Sequence, residues 1–178
     1  EGRLWIALQR GVRRLDPQSG EFVTFFHDPE NMNSIGARGL TRIHEDKKGN
    51  LWFAHQRNGL SMLSKDDGEV FHRFESEPYT PGIESGLVVY AMHEDIARGL
   101  MWFGTNRGLL RISIDSKEMF WIDSIRAEVV AIKQDEAGAL WLGVRDEILR
   151  VSNPYAESPE YVVATGAVRC CGLDMVAP

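Results

Sequence analysis

One short phrase built on a tryptophan occurs four times in this chain: GRLWIA around Trp5, GNLWFA around Trp52, GLMWFG around Trp102 and GALWLG around Trp141. The tryptophans are separated by 47, 50 and 39 residues. Repetition at that period restricts the chain to arrays of small units, each of which buries its apolar face on the next. The variation in spacing falls in the stretches richest in polar and turn-forming residues.

The text around the tryptophans defines the unit. Upstream, LTRIHEDKKG, VYAMHEDIARG and VVAIKQDEAG each run an apolar strand into an acidic turn, with Asp46, Asp95 and Asp135 at the strand end. A carboxylate there is placed to accept the backbone N–H groups of the turn, and the glycine that follows suits positive φ. Downstream, GVRRLD, GLSMLS, GLLRIS and EILRVS align, followed by FVTFF, EVFHRF, EMFWI and EYVVAT. Asp16 to Gly20 and Lys65 to Gly68 read as hairpin turns between the last two runs. Each unit is therefore a four-stranded antiparallel meander, and no window carries the capped i, i+3, i+4 pattern of an amphipathic helix.

In the tryptophan strand, neighbouring residues on both faces are apolar, as expected for a sheet covered on both sides. Blades stacked around an axis supply that environment, so the expected fold is all-β, a β-propeller of about four four-stranded blades, either a closed ring or a fragment of a larger one. Trp5, Trp52, Trp102 and Trp141 are assigned to the core between blades. The small residues two places after them, Ala7, Ala54, Gly104 and Gly143, are expected to leave room for an adjacent blade. The repeats are expected at 1–39, 40–85, 86–125 and 126–165, all within one propeller domain or fragment spanning 1–178. Residues 166–178 then form the first strand of a further or ring-closing blade, which would pair 167–175 with the first repeat. A start at Glu1 without Met has the look of a processed or excised piece.

The assembled phrases resemble the two-component regulator propeller repeat, found in extracytoplasmic sensor regions of hybrid histidine kinases and related bacterial signalling proteins. The resemblance is carried most strongly by Asn33-Ser34-Ile35 and the stretch LTRIHEDKKGNLWFAHQRNGLSMLS, and it recurs over most of the chain. It departs at Glu147, which stands where the other repeats open their third strand with glycine. The resemblance implies a periplasmic or extracellular sensing or scaffolding module, working beside adjacent domains of a larger sensor and without catalysis of its own. GNLWFA is also similar to repeats of virginiamycin B lyase-like enzymes, which implies a lyase or hydrolase as the alternative. A protein-interaction scaffold is the second alternative.

Composition bounds the partners. A net charge of −6 speaks against a nucleic-acid footprint, and no apolar stretch approaches the ~18 residues of a membrane span. Cys170 and Cys171 are adjacent, a poor disulfide geometry, and read as thiols with no ligand pair nearby. His44 and His93 precede Glu-Asp and invite a metal or acid–base reading. The fourth repeat has Lys133 there, and the Asp has sufficient work in the turn, so neither metal, cofactor nor catalytic residue is assigned.

The candidate ligand residues lie between the second and third strands, where every repeat carries an arginine: Arg10, Arg57, Arg107 and Arg145. In a meander these turns emerge at the same sheet end as the connections between blades. Guanidinium groups gathered there would form an anion-recognition surface, and the expected ligand is a saccharide or an anionic small molecule. Homo-oligomerisation is left open.

Overall fold

The computed structural model of the chain describes residues 3–37, 39–56, 59–66, 68–74, 86–156 and 158–164. Among these residues there are fifteen strands and no helix. The expected ring-closing strand at 167–175, Cys170 and Cys171 lie outside the described residues.

The chain divides into two compact units, Glu1–Val89 and Tyr90–Pro178. In the first unit β1 (Leu4–Leu8), β2 (Gly11–Leu15) and β3 (Phe22–Phe26) form a three-stranded meander, followed by the four-stranded meander β4 (Leu40–Glu45), β5 (Leu51–His55), β6 (Leu60–Leu63) and β7 (Phe71–Phe74). The second unit repeats the pattern twice. One sheet comprises β8 (Val89–Asp95), β9 (Leu100–Thr105), β10 (Gly108–Ser113) and β11 (Met119–Trp121), and the other β12 (Val129–Gln134), β13 (Leu140–Val144), β14 (Glu147–Val151) and β15 (Tyr161–Val163). All pairings are antiparallel between chain neighbours, as the phrase order requires.

Within each unit two sheets pack face to face through large apolar side chains. In the first unit Trp5 and Phe25 of one sheet meet Phe53 and Phe71 of the other at ring-centroid distances of 5.9 and 5.4 Å. The cluster extends to Val12, Ile35, Leu51 and Leu63. In the second unit Trp102 and Leu109 pack with Leu140, Leu142, Leu149 and Val151. Burying such side chains on both faces supplies the main stabilisation, at roughly 1.5–3 kcal/mol for each fully buried large residue.

Trp52 and Trp102 are fully buried, whereas Trp5 and Trp141 are only partly so. A cross-strand arginine lies over three of the four indoles: Arg14 by Trp5, Arg111 by Trp102 and Arg150 by Trp141, at 5.8, 5.8 and 5.6 Å. Met62 takes that register position opposite Trp52. Gly104 sits hard against the next sheet, where an added Cβ would stand 2.5 Å from the Val129 carbonyl oxygen. At Gly143 the nearest neighbour is Ala131, its cross-strand partner on the same sheet.

Candidate functional site

The second-to-third strand turns are built to present short polar loops. Arg10 is exposed in the β1–β2 turn, Arg107 in the β9–β10 turn and Arg145 in the β13–β14 turn. Arg57 lies outside the described residues. Thr105 fixes the Arg107 turn at both ends: its hydroxyl accepts the Arg107 backbone N–H at 3.1 Å and donates to the Gly108 carbonyl at 2.8 Å. Gly11, Gly59 and Gly108 open the third strands because a Cβ there would press into the carbonyl oxygens of Phe25, Phe74 and Ile125. Where Glu147 replaces that glycine, the turn instead takes its positive φ at Arg145 (50°).

In the first unit one glycine ties together the residues that precede Arg10 and Arg57. Gly39 donates its N–H to the Gln9 carbonyl at 3.0 Å, and its own carbonyl accepts the Gln56 N–H at 2.7 Å. Gln9 and Gln56 are the residues immediately before Arg10 and Arg57. The bridge therefore sets the two loop bases side by side, on the connection from the first sheet to the second. Gly39 adopts a φ of +69°, a conformation that suits glycine and costs other residues.

Beneath this bridge is a buried polar pair. The Ser61 hydroxyl lies 2.7 Å from His55 Nε2 and accepts the Gly36 N–H at 2.8 Å. Burial pushes the His55 imidazole down to about 4; the neighbouring His27 and Arg73 reinforce the shift and the Ala37 carbonyl opposes it. The histidine is thus neutral at pH 7. Both side chains are wholly enclosed, so the pair braces the connection and has no access to a substrate. Arg73 braces the same connection, donating to the Ser34, Asp28 and Asn31 carbonyls at 3.0, 2.8 and 2.7 Å.

The acidic turns lie at the opposite sheet ends. Asp46 accepts the Lys48 and Asn50 backbone N–H groups at 3.0 and 2.8 Å and the Trp52 indole N–H at 2.9 Å. Asp135 does the same for Ala139 and Trp141, each at 2.9 Å. Asp95 differs. Seven residues separate it from its tryptophan, against six in the other two repeats, and its carboxylate accepts from Tyr155 Oη at 2.6 Å and Gln134 Nε2 at 3.2 Å. Burial alone would raise the Asp95 carboxyl, but these bonds and the Arg98 charge hold it below its ordinary value. The partners in turn push the Tyr155 phenol up to about 12, burial first and the Asp95 carboxylate second. His93 joins the same network at 3.3 Å from Gln134 Oε1. No group of three or more metal-ligating side chains gathers among the described residues.

No family model matches the sequence, and no curated protein matches it. Solved structures do. An extracellular domain of a one component system from B. thetaiotaomicron, BT4673, is similar over 90% of this chain with a TM-score of 0.68 and 17% identity. The fold is that of β-propeller blades. An extracellular domain of the hybrid two component system BT3049 from the same organism is similar over 90% of the chain, with a TM-score of 0.62 and 21% identity. Virginiamycin B lyase from Staphylococcus aureus is similar over 92%, with a TM-score of 0.56 and 20% identity.

The chain spans 20% and 21% of the two sensor chains and 52% of the lyase. Propeller blades of this kind thus occur in sensor domains and in lyases alike, and identities at this level establish the fold, not the activity. The sensor matches agree with the repeat-level resemblance drawn from the sequence.

Proposed function

We propose that this chain is an extracytoplasmic recognition segment of a bacterial signalling protein, binding an anionic ligand through the arginine turns of its repeats. The four repeats act in this reading as one propeller or as part of a larger one, passing the bound state to adjacent domains. The ligand class is an acidic saccharide or a carboxylate-bearing partner, because guanidinium forks pair with such groups in bidentate fashion.

The observation that carries the reading is the Gly39 bridge between the bases of two arginine loops. It ties Gln9 and Gln56 through backbone bonds, and the buried Ser61–His55 pair and Arg73 bond the same connection. Rigid elements presenting polar loops are the usual architecture of a binding face. The two sensor domains of the same fold support the signalling context.

The reading is tested by passing the purified chain over immobilised acidic and neutral oligosaccharides at low salt. Selective retention by the acidic matrices, lost as ionic strength rises, is the expected result. Equal behaviour on both matrices removes the ligand assignment, and turnover of any offered substrate would replace it with the lyase or hydrolase alternative.

A further inference from the structure

His55 and Ser61 occupy positions that the two blades of the second unit fill without a titratable group. By strand register they correspond to Thr105 and Leu110 in the third repeat and to Val144 and Leu149 in the fourth, all of them buried. Apolar side chains or a hydroxyl meet the packing there, and a buried histidine adds a desolvation cost that blade formation does not require.

The pair instead serves the segment that crosses from the first sheet to the second. Gly36 lies directly over it, and a Cβ there would stand 2.6 Å from Ser61 Oγ and 3.6 Å from His55 Nε2. With the imidazole neutral, the Ser61 hydroxyl donates to Nε2 at 2.7 Å and accepts the Gly36 N–H at 2.8 Å, so one hydroxyl bonds in both directions. A proton added at Nε2 reverses the first bond. The Ser61 oxygen then faces two N–H donors, its own proton loses its acceptor, and a positive charge is enclosed beside His27 of the crossing segment and Arg73 of β7. β4 and β6 present Leu40 and Ser61 at this level, neither of them charged. The charge is relieved by reaching water, and Gly36 and Ala37, both buried, are the cover that must lift.

We propose that His55, Ser61 and Gly36 form an acid-released latch on the crossing segment: closed while the imidazole is neutral, it holds the Gly39 bridge between Gln9 and Gln56, and protonation of His55 opens latch and bridge together. The chain itself couples the two. Gln56 follows His55, and Gly39 lies three residues after Gly36, so the bonds of Gly39 to Gln9 and Gln56 at 3.0 and 2.7 Å are pulled from both ends as the cover lifts. Burial holds the imidazole at about 4 in the closed state, against about 6.5 once hydrated. Opening is therefore favoured on the order of a hundredfold more at pH 4 than at pH 7. The latch does not depend on what the arginine turns bind.

Amide hydrogen exchange followed by NMR on the full chain tests it. Between about pH 7 and pH 4, protection at the Gly36, Gly39 and Gln56 amides is expected to fall about a hundredfold once intrinsic rates are divided out. The Asp46 amide, bonded to the Asn50 carbonyl at the opposite end of the same blade, is expected to lose far less. His55→Gln keeps an acceptor for Ser61 and cannot titrate, and His55→Thr installs the residue that the third repeat carries. Either variant, once folded, is expected to keep its protection at these amides down to about pH 4. Undiminished protection in the wild-type chain overturns the inference. A loss that persists in a folded variant belongs to another group, such as His27, and overturns it too. So does an equal loss at Asp46, the mark of global unfolding, or a His55 imidazole that titrates at about 6.5 in the folded wild-type chain.

Discussion

The indole N–H of Trp52 donates to Asp46 Oδ2 at 2.9 Å, and Trp141 and Asp135 repeat the bond at the same length. One carboxylate therefore closes the tight turn through backbone N–H groups and also satisfies the only polar side-chain atom of the core tryptophan. In the third repeat the turn is one residue longer, and Trp102 Nε1 is buried without a hydrogen-bond partner among the described residues. The Asp95 carboxylate is bound to Tyr155 and Gln134 of the adjacent blade.

That difference separates two otherwise equivalent substitutions. Trp52→Phe loses a buried hydrogen bond and leaves Asp46 short of a donor, whereas Trp102→Phe has no such bond to lose. Chemical denaturation is expected to show Trp52→Phe the more destabilising by about 1–2 kcal/mol. Trp52→Ala and Trp102→Ala are both expected to cost about 3–5 kcal/mol, the usual range for deleting a buried large aromatic. Equal costs for the two phenylalanine variants would contradict the assignment of the Asp46 bond.

Asp46→Ala is expected to lower stability by more than Asp16→Ala. Asp46 is buried and accepts from the Lys48 and Asn50 backbone N–H groups, from the Asn50 side-chain amide and from the Trp52 indole. Asp16 bonds the Gln18 and Ser19 N–H groups of an exposed turn, where water replaces it. Leaving buried donors unpaired costs about 1–3 kcal/mol each before relaxation. The comparison of denaturation midpoints checks this directly.

Stability is expected to fall as pH drops from about 6.5, the ordinary histidine value, toward about 4, where His55 titrates in the folded chain. In that window the unfolded chain binds a proton that the buried imidazole refuses. The loss therefore grows through the window and levels off below it, amounting to on the order of 3 kcal/mol. Asp95 adds a further loss at lower pH, because its carboxyl is held below 3.8 when folded and its contribution vanishes on protonation. Denaturation midpoints of His55→Gln should lose the slope between pH 6.5 and 4 while keeping the acid-limb loss.

The strands and meander order were legible in the sequence because each repeat spells them with the same residues. The acidic turn was legible too, since Asp and a following glycine have few other uses at a strand end. The departure at Asp95 was hidden only by treating the three turns as one: the seven-residue spacing to Trp102 is visible, but its consequence needs the position of Tyr155, sixty residues away. The Ser61–His55 pair gave no signal. A Ser and a His in a β phrase read as surface residues, and their burial depends on Gly36 approaching from the connection between sheets. The Gly39 bridge is equally long-range, so the arginines could be placed on equivalent turns, but the bond joining two of those turns could not be read from spacing.

Gly39→Ala tests that bridge without touching an arginine. Its φ of +69° strains an alanine, and a Cβ would also meet the Gln56 side-chain oxygen at 3.2 Å. Destabilisation of about 1 kcal/mol or more is expected, together with weaker binding of an acidic ligand. Unchanged affinity would separate the bridge from recognition.

The most direct measurement is isothermal titration of an acidic oligosaccharide into the wild-type chain and into a triple variant, Arg10→Ala, Arg107→Ala and Arg145→Ala, at low and moderate ionic strength. All three side chains are exposed, so the fold is expected to survive their removal. The proposed function requires wild-type binding that weakens with salt as the exposed charges are screened, a neutral analogue that binds less well, and a triple variant weakened about tenfold or more. Equal affinity of wild type and triple variant for the acidic ligand, at both ionic strengths, would contradict it.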